Sequence, residues 1–267
     1  MRESGVIRPS LEEFESLAAR GNLIPVVREI LADLDTPLSL FRRLDDGRTS
    51  FLLESVEGGE KWARYSFIGS GARASFRVRG STIEWMEEGL CETCEVAGDP
   101  LEFLRDKLAE LDHVTPDDLE LPRFIGGAVG MVGYDWVRFV EKLPQTNPNL
   151  LNTPDLSFVF PETVVVYDNV KHTALVVRHV HMKEGDDPRK RYAESAKAID
   201  ATVAQLRAPP EQPEQPRAVL QPMDVVRNMT EQEYHVTVQR AKEYIPAGAT
   251  FQVALSHAYE KTLQADA

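Results

Sequence analysis

The stretch Phe51–Gly69, FLLESVEGGEKWARYSFIG, decides how the rest of the chain is read. It opens as a short apolar strand, Phe51, Leu52 and Leu53, and stops abruptly on a carboxylate and a hydroxyl, Glu54 and Ser55. Gly58 and Gly59 supply a turn, and Trp62 through Ile68 reads as a second extended piece rich in aromatics. Acceptors at the end of an apolar strand, under a loop carrying Lys61 and Arg64, suit a small zwitterion. Glu54 would take an ammonium, and the basic residues would take a carboxylate. The same residues also fit a plain strand end facing water, and the pattern alone leaves both readings standing.

Outward from this stretch the chain reads as sheet with interspersed helices. Upstream, Ser10 and Glu13 form a capping box for a helix whose stripe is Leu11, Phe14, Leu17 and Ala18. LIPVVREI is extended, with Pro25 tolerable only at an edge or a strand start, and Thr36-Pro37 opens a short helix. Downstream, ARASFRVRG, STIEWMEE and LCETCEV form an antiparallel meander with turns at Gly80 and Gly89. Asp99-Pro100 starts a helix. In Pro122–Pro144, glycines 126, 127, 130 and 133 interrupt an apolar strand, which means a bulge or close backbone packing; the spacing is not that of a phosphate loop. LSFVFPETVVVYDNVKHTALVVRHV reads as three strands with a turn at Asp168-Asn169, and Pro188 opens a long helix. Ala208–Pro222 is proline-rich and without apolar period, a semi-rigid linker. Beyond it, Thr230 and Glu233 cap a helix with Tyr234, Val238, Ala241 and Ile245 on one face. TFQVALS follows as a strand, with Phe251, Val253 and Leu255 on the core side and Thr250, Gln252, Ala254 and Ser256 on a small polar side.

Bulk properties narrow the function. The 267 residues carry a formal net charge of -13, with 42% hydrophobic and 27% charged residues, values of a globular chain with a sizeable core. The charge works against nucleic acid or an anionic membrane as partner and leaves room for a local basic pocket. No apolar run approaches a membrane span and the polar start is no signal peptide, so the chain reads as cytoplasmic. Cys91 and Cys94 fall in a hairpin rather than at a helix start, and no further zinc ligands accompany them. His179 and His181 share a strand face and, lacking a third ligand, read as surface residues.

Three blocks, in this order, resemble anthranilate synthase component I, the chorismate-utilising enzyme family of tryptophan biosynthesis. They are LLES followed by EGGEKWARYSFIG, then FIGGAVGMVGYDWVRFVEKLP, then NMTEQEYHVTVQRAKEYIPAGATFQVALSH. Departures are Met131 where an aromatic is common, Pro246, Ala249 and Thr250 in place of the usual Asp-Ile, and His257 where Gln is common. The resemblance runs from about residue 11 to the end. It implies that Glu54 and Ser55 contribute to a tryptophan feedback pocket, with Lys61, Arg64, Tyr65 and Ser66 around them. It also implies that Gln252 stands where ammonia-using members have glutamine and water-adding relatives have a lysine base. Gln252 also fits an exposed strand residue making a cross-strand hydrogen bond.

The expected fold is α+β, with large mostly antiparallel sheets and helices packed on the outside. The resemblance divides it into an amino-terminal regulatory domain (1–207), the linker (208–222) and the start of a chorismate-binding catalytic domain (223–267). The chain stops short of the family's PSPYM segment, so it is expected to be an amino-terminal fragment, truncated before the catalytic half and inactive alone. The implied reaction converts chorismate and ammonia to anthranilate and pyruvate, with Mg2+ held by ligands outside this stretch, ammonia from a glutamine amidotransferase partner, and L-tryptophan as inhibitor. Two alternatives are an aminodeoxychorismate synthase component and a non-catalytic amino-acid-binding module.

Overall fold

The computed structural model describes residues 5–54, 64–95, 98–144, 151–209 and 225–262. They fall into two compact units, Met1–Glu211 and Gln212–Ala267. In the first unit the elements run β1 (Ile7–Arg8), α1 (Leu11–Ala18), β2 (Leu23–Leu31), α2 (Pro37–Leu44), β3 (Phe51–Leu53), β4 (Tyr65–Arg79), β5 (Thr82–Glu87) and β6 (Leu90–Glu95). Then come α3 (Pro100–Ala109), β7 (Val129–Val132), a 3-10 turn at Tyr134–Phe139, β8 (Leu156–Asp168), β9 (Thr173–His181) and α4 (Pro188–Leu206). The second unit holds β10 (Val226–Arg227), α5 (Glu231–Tyr244) and β11 (Tyr259–Glu260). The fold is α+β, and every strand pairing between named strands is antiparallel.

The sheet of the first unit is built on β4 and β8, strands of 15 and 13 residues that pair along nearly their whole length. Sequence reading breaks each of them in two, at Gly69–Gly71 and at Pro161. In the structure these breaks coincide: the register shifts between Ala72 and Ala74, opposite Pro161 and Phe160. A proline that cannot donate to the ladder is tolerated where the ladder is already irregular. The sheet branches there. Toward Tyr65 and Asp168 it continues as β1-β2-β9-β8-β4-β3, and toward Arg79 and Leu156 as β7-β8-β4-β5-β6.

Alternation along the strands gives the first arm two apolar faces. On one, Ile24, Val26, Ile68, Val165 and Val176 meet Phe14 and Leu17 of α1, Leu40 and Leu44 of α2, and Ile199, Val203 and Leu206 of α4. These helices form because their termini are satisfied locally. Ser10 and Glu13 cap α1 reciprocally, Thr36 and Ser39 do the same for α2, and Asp187 caps α4 ahead of Pro188. On the other face, Val27, Val164, Val166 and Val177 are covered by a strap, residues 113–128, which places Leu119, Leu121 and buried Ile125 over the sheet. The second arm buries Phe76, Val78, Ile83, Trp85, Leu156 and Phe160 against Leu101, Phe103 and Leu104 of α3 and against Trp136 and Phe139. Asp99 ties these two covers together, capping α3 at Leu101 N and accepting the Trp136 indole N–H at 3.1 Å.

The glycine-rich strap and β7 owe their composition to close approach. A Cβ on Gly130 would stand 2.0 Å from the Ser157 carbonyl oxygen, and one on Gly126 would stand 2.4 Å from the His179 ring. His179 is therefore half-buried under the strap, with its ring centroid 5.7 Å from that of His113, and is not the surface residue its sequence suggests. Burial, then the positive potential of His113 and Arg73, lowers its pKa from the ordinary 6.5 to about 4. His181, also half-buried, is shifted down chiefly by burial.

Two consequences are measurable. Gly130→Ala forces backbone against backbone and should destabilise the first unit by about 1–3 kcal/mol, lowering the melting temperature by roughly 2–4 °C per kcal/mol; an unchanged melting temperature would show that β7 can give way freely. His179 binds a proton in the unfolded chain that the folded chain refuses between about pH 4 and 6.5. Stability from this group is therefore present above pH 6.5 and falls as pH drops through that window, by up to about 1.4 kcal/mol per unit. Thermal melts from pH 7.5 to 4.5 should show a shallower acid loss in His179→Gln than in the parent; parallel curves would refute the assignment.

Candidate functional site

Glu54 follows directly on β3, whose pairing runs Phe51↔Gly69, Leu52↔Ile68 and Leu53↔Phe67. Leu52 packs toward the helix-covered core, the chain leaves the sheet after Leu53, and Glu54 is exposed. Ser55 and Lys61 lie outside the described residues. Across this antiparallel pair, Ser66 precedes Phe67 on β4 as Glu54 follows Leu53 on β3, so the two stand one step beyond the last paired position. Ser66 is buried, and its hydroxyl accepts the Asn169 side-chain N–H at 3.2 Å. Tyr65 is half-buried on the opposite face, beside Phe67.

Arg64 does not stand free beside this strand end. Its guanidinium donates to both Asp168 oxygens, at 3.2 and 3.1 Å from Nε and 2.7 Å from Nη2, and its carbon lies 4.9 Å from the Tyr65 ring centre. Asp168 closes β8, as its turn position suggests, and also accepts the backbone N–H groups of Val170 and Lys171. Burial alone would raise the Asp168 pKa. The Arg64 guanidinium and the two backbone donors outweigh it and hold the carboxyl below the usual range. The Asn169 amide donates to the Arg64 carbonyl, fixing the entry to β4 at the β8–β9 turn. Arg64 thus anchors the strand entry, and a ligand using it would share it with Asp168. Sequence reading misses this pair because its members are 104 residues apart and only strand register joins them.

In the second unit, helix α5 presents Tyr234, Val238 and Ala241 as its half-buried face, three of the four positions its spacing predicts; Ile245, the fourth, follows the last helical residue and is exposed. Tyr234, His257 and Tyr259 stack edge-on at 5.2 and 4.7 Å. Asn228 pins the segment to β10 by accepting the Ala258 N–H at 2.9 Å. Gln252 is exposed, and residues 250–256 are not a strand: Phe251 is 93% exposed, and the Thr250 hydroxyl donates to the Gln252 carbonyl at 2.8 Å. The alternation read in TFQVALS is real, but a strand needs a hydrogen-bonded neighbour. Among the described residues, the only pairing in this unit is β10 with β11.

The remaining candidates bring no further chemistry together. Cys91 and Cys94 are free and exposed on β6, three residues apart and so on opposite faces of the strand. Among the described residues, no three His, Cys, Asp or Glu side chains gather to hold a metal ion, and no helix is long and apolar enough to cross a membrane.

Comparison with known proteins supplies the context of these residues. Residues 49–267 match the family described as chorismate binding enzyme. Anthranilate synthase component 1 of Aquifex aeolicus is 34% identical over 260 residues, covering 94% of this chain and 50% of that protein. The protein of the same name from Pseudomonas aeruginosa is 38% identical over 258 residues, covering 92% and 50%. A solved structure of anthranilate synthase component I from Streptococcus pneumoniae shares 25% identity at a TM-score of 0.48, over 82% of this chain and 45% of that one. The chain spans about half the length of the curated relatives it matches. With the family match extending from the start of the LLES strand to the last residue, this chain belongs to the chorismate-binding enzymes.

Proposed function

We propose that this chain contributes the amino-terminal portion of an anthranilate synthase component I, the enzyme that converts chorismate and ammonia to anthranilate and pyruvate. The observation that carries the reading is the agreement of relatives bearing that name across 92–97% of this chain, together with the intact LLES element and the glutamine at position 252. In this reading Gln252 orients ammonia. Its side chain offers an amide N–H and a carbonyl but cannot take a proton at neutral pH, which suits a nucleophile that is already basic and not one that must be made from water. Ammonia would be delivered by a glutamine amidotransferase partner. The magnesium implied by the family finds no cluster of ligands among the described residues.

The LLES element would serve regulation. Glu54 would accept the ammonium of L-tryptophan and Ser55 would bond its carboxylate, beside the β4 entry that the Arg64–Asp168 pair anchors. An effector shifts activity only by its differential affinity for two states, so these residues govern inhibition rather than the uninhibited rate.

Assayed within a chain of the relatives' full length, Glu54→Ala and Ser55→Ala should each weaken tryptophan inhibition about tenfold or more, the worth of a hydrogen bond to a charged group. The uninhibited rate should hold; equal inhibition constants for variants and parent would exclude the assignment. In the same context Gln252→Ala should lose ammonia-dependent anthranilate formation without gaining a water-addition product, and Gln252→Lys should depress it. Product chromatography with chorismate, magnesium and saturating ammonium decides the matter. Parental rates in Gln252→Ala would remove this residue from the active site.

A further inference from the structure

A cavity of 360 Å³ lies on the strap-covered face of the first arm, clear of Glu54 and sharing Tyr65 and Asp168 with the surroundings of the LLES strand end. Its floor is the sheet itself: Val27 of β2, Leu175 of β9 and Val166 of β8. Leu119 and Pro122 of the strap and Val6 ahead of β1 complete an apolar surround. This size is at the small end of ligand cavities, and an apolar body with a few polar groups is their usual make-up.

The charges at its rim sort into those that are satisfied and those that are not. Arg8 is bound to Asp118 at 2.6 Å, which ties β1 to the strap and closes one wall; that carboxylate is also what raises the Arg8 pKa. Asp168 is held by Arg64. Glu120 also has a partner. Two charged lining side chains remain with no hydrogen bond or ion pair among the described residues: the carboxylate of half-buried Glu29 and the ammonium of Lys171. They do not neutralise each other, yet both line one small cavity with an apolar floor. Leaving a half-buried carboxylate unpaired is unfavourable, and a ligand that brings an ammonium removes that penalty.

We propose that this cavity binds the zwitterion of an α-amino acid with an apolar side chain, its ammonium on Glu29, its carboxylate on Lys171 and its side chain on the Val27–Val166–Leu175 floor. The assignment is independent of the regulatory role proposed for Glu54 and Ser55, since it uses neither residue.

Isothermal titration of the 267-residue chain with L-phenylalanine and L-leucine tests it, with 2-phenylethylamine and 3-phenylpropionate as probes lacking one charge each. At least one of the two amino acids should bind saturably at one site. For L-phenylalanine the affinity should exceed that of either single-charge analogue by about tenfold or more. Glu29→Gln and Lys171→Met should each weaken amino-acid binding to a similar degree, while Glu54→Ala leaves it unchanged. Lys171 is exposed on the β8–β9 turn, so its replacement keeps the test sound even where Glu29→Gln alters the melting temperature. No saturable heat with either amino acid, equal affinity for 2-phenylethylamine, or parental affinity in both cavity variants would each overturn the proposal. Binding lost in Glu54→Ala alone would also overturn it, and would leave the LLES reading intact.

Discussion

The long antiparallel pairing of β4 with β8 is the constraint on which the rest of the first unit depends. Among the described residues it is the only pair that spans both arms of the sheet, and every other strand of that sheet is added to one half of it. β3, β5 and β6 are organised from β4, and β7, β9, β2 and β1 from β8. The irregularity at Ala72 and Pro161 is what lets one ladder serve two layers of covering elements, the strap and helices α1, α2 and α4 on one arm and α3 with the 3-10 turn on the other. Bulged strands bend and twist more, so the two arms can present their apolar faces to different covers. The same pairing places Arg64 at the entry of β4 against Asp168 at the exit of β8, so the candidate regulatory strand end is held by the sheet's own axis.

Locally determined features were legible in the sequence. The capping boxes at Ser10–Glu13 and Thr230–Glu233, the Pro188 helix start and the Gly80 and Gly89 hairpins all form as their residues suggest, because each is fixed by partners within a few positions. The antiparallel, helix-covered character of the fold was legible from strand and helix periodicities that alternate along the chain. What local reading misjudges depends on distant partners. Gly69 and Pro161 look like strand ends until the register carries Gly69 on in regular pairing with Val164 and sets Pro161 opposite the irregularity at Ala72. His179 was correctly placed on the face of His181, but its burial comes from a strap more than fifty residues away in sequence, which only the fold brings over it.

For the candidate site the division is similar. The residue types in LLES and at Gln252 carry their chemistry in the sequence, and the family match adds the context. The pairing of Arg64 with Asp168, and the cavity shared by Glu29 and Lys171, have no sequence signature at all. The expected strand at 250–256 shows the converse: alternation specifies which side chains would share a face but does not supply the neighbour that makes a strand. Among the described residues Gln252 is exposed, so the chemistry proposed for it is read from residue type and not from a surface that holds it in place.

The order in which the sheet is assembled bears on how the protein is made. β2 lies near the amino terminus, yet its partner along its full length is β9, with Leu23 opposite His181 and Leu31 opposite Thr173. During synthesis, Ile24, Val26, Val27 and Ile30 must wait for more than a hundred further residues before the strand that buries them exists. Helices α1 and α2 can form early, because their caps are local, but they have no finished sheet to rest on. Until β9 is made, the nascent chain thus carries an unpaired apolar strand, the kind of segment that chaperones bind and that aggregates when synthesis outpaces them.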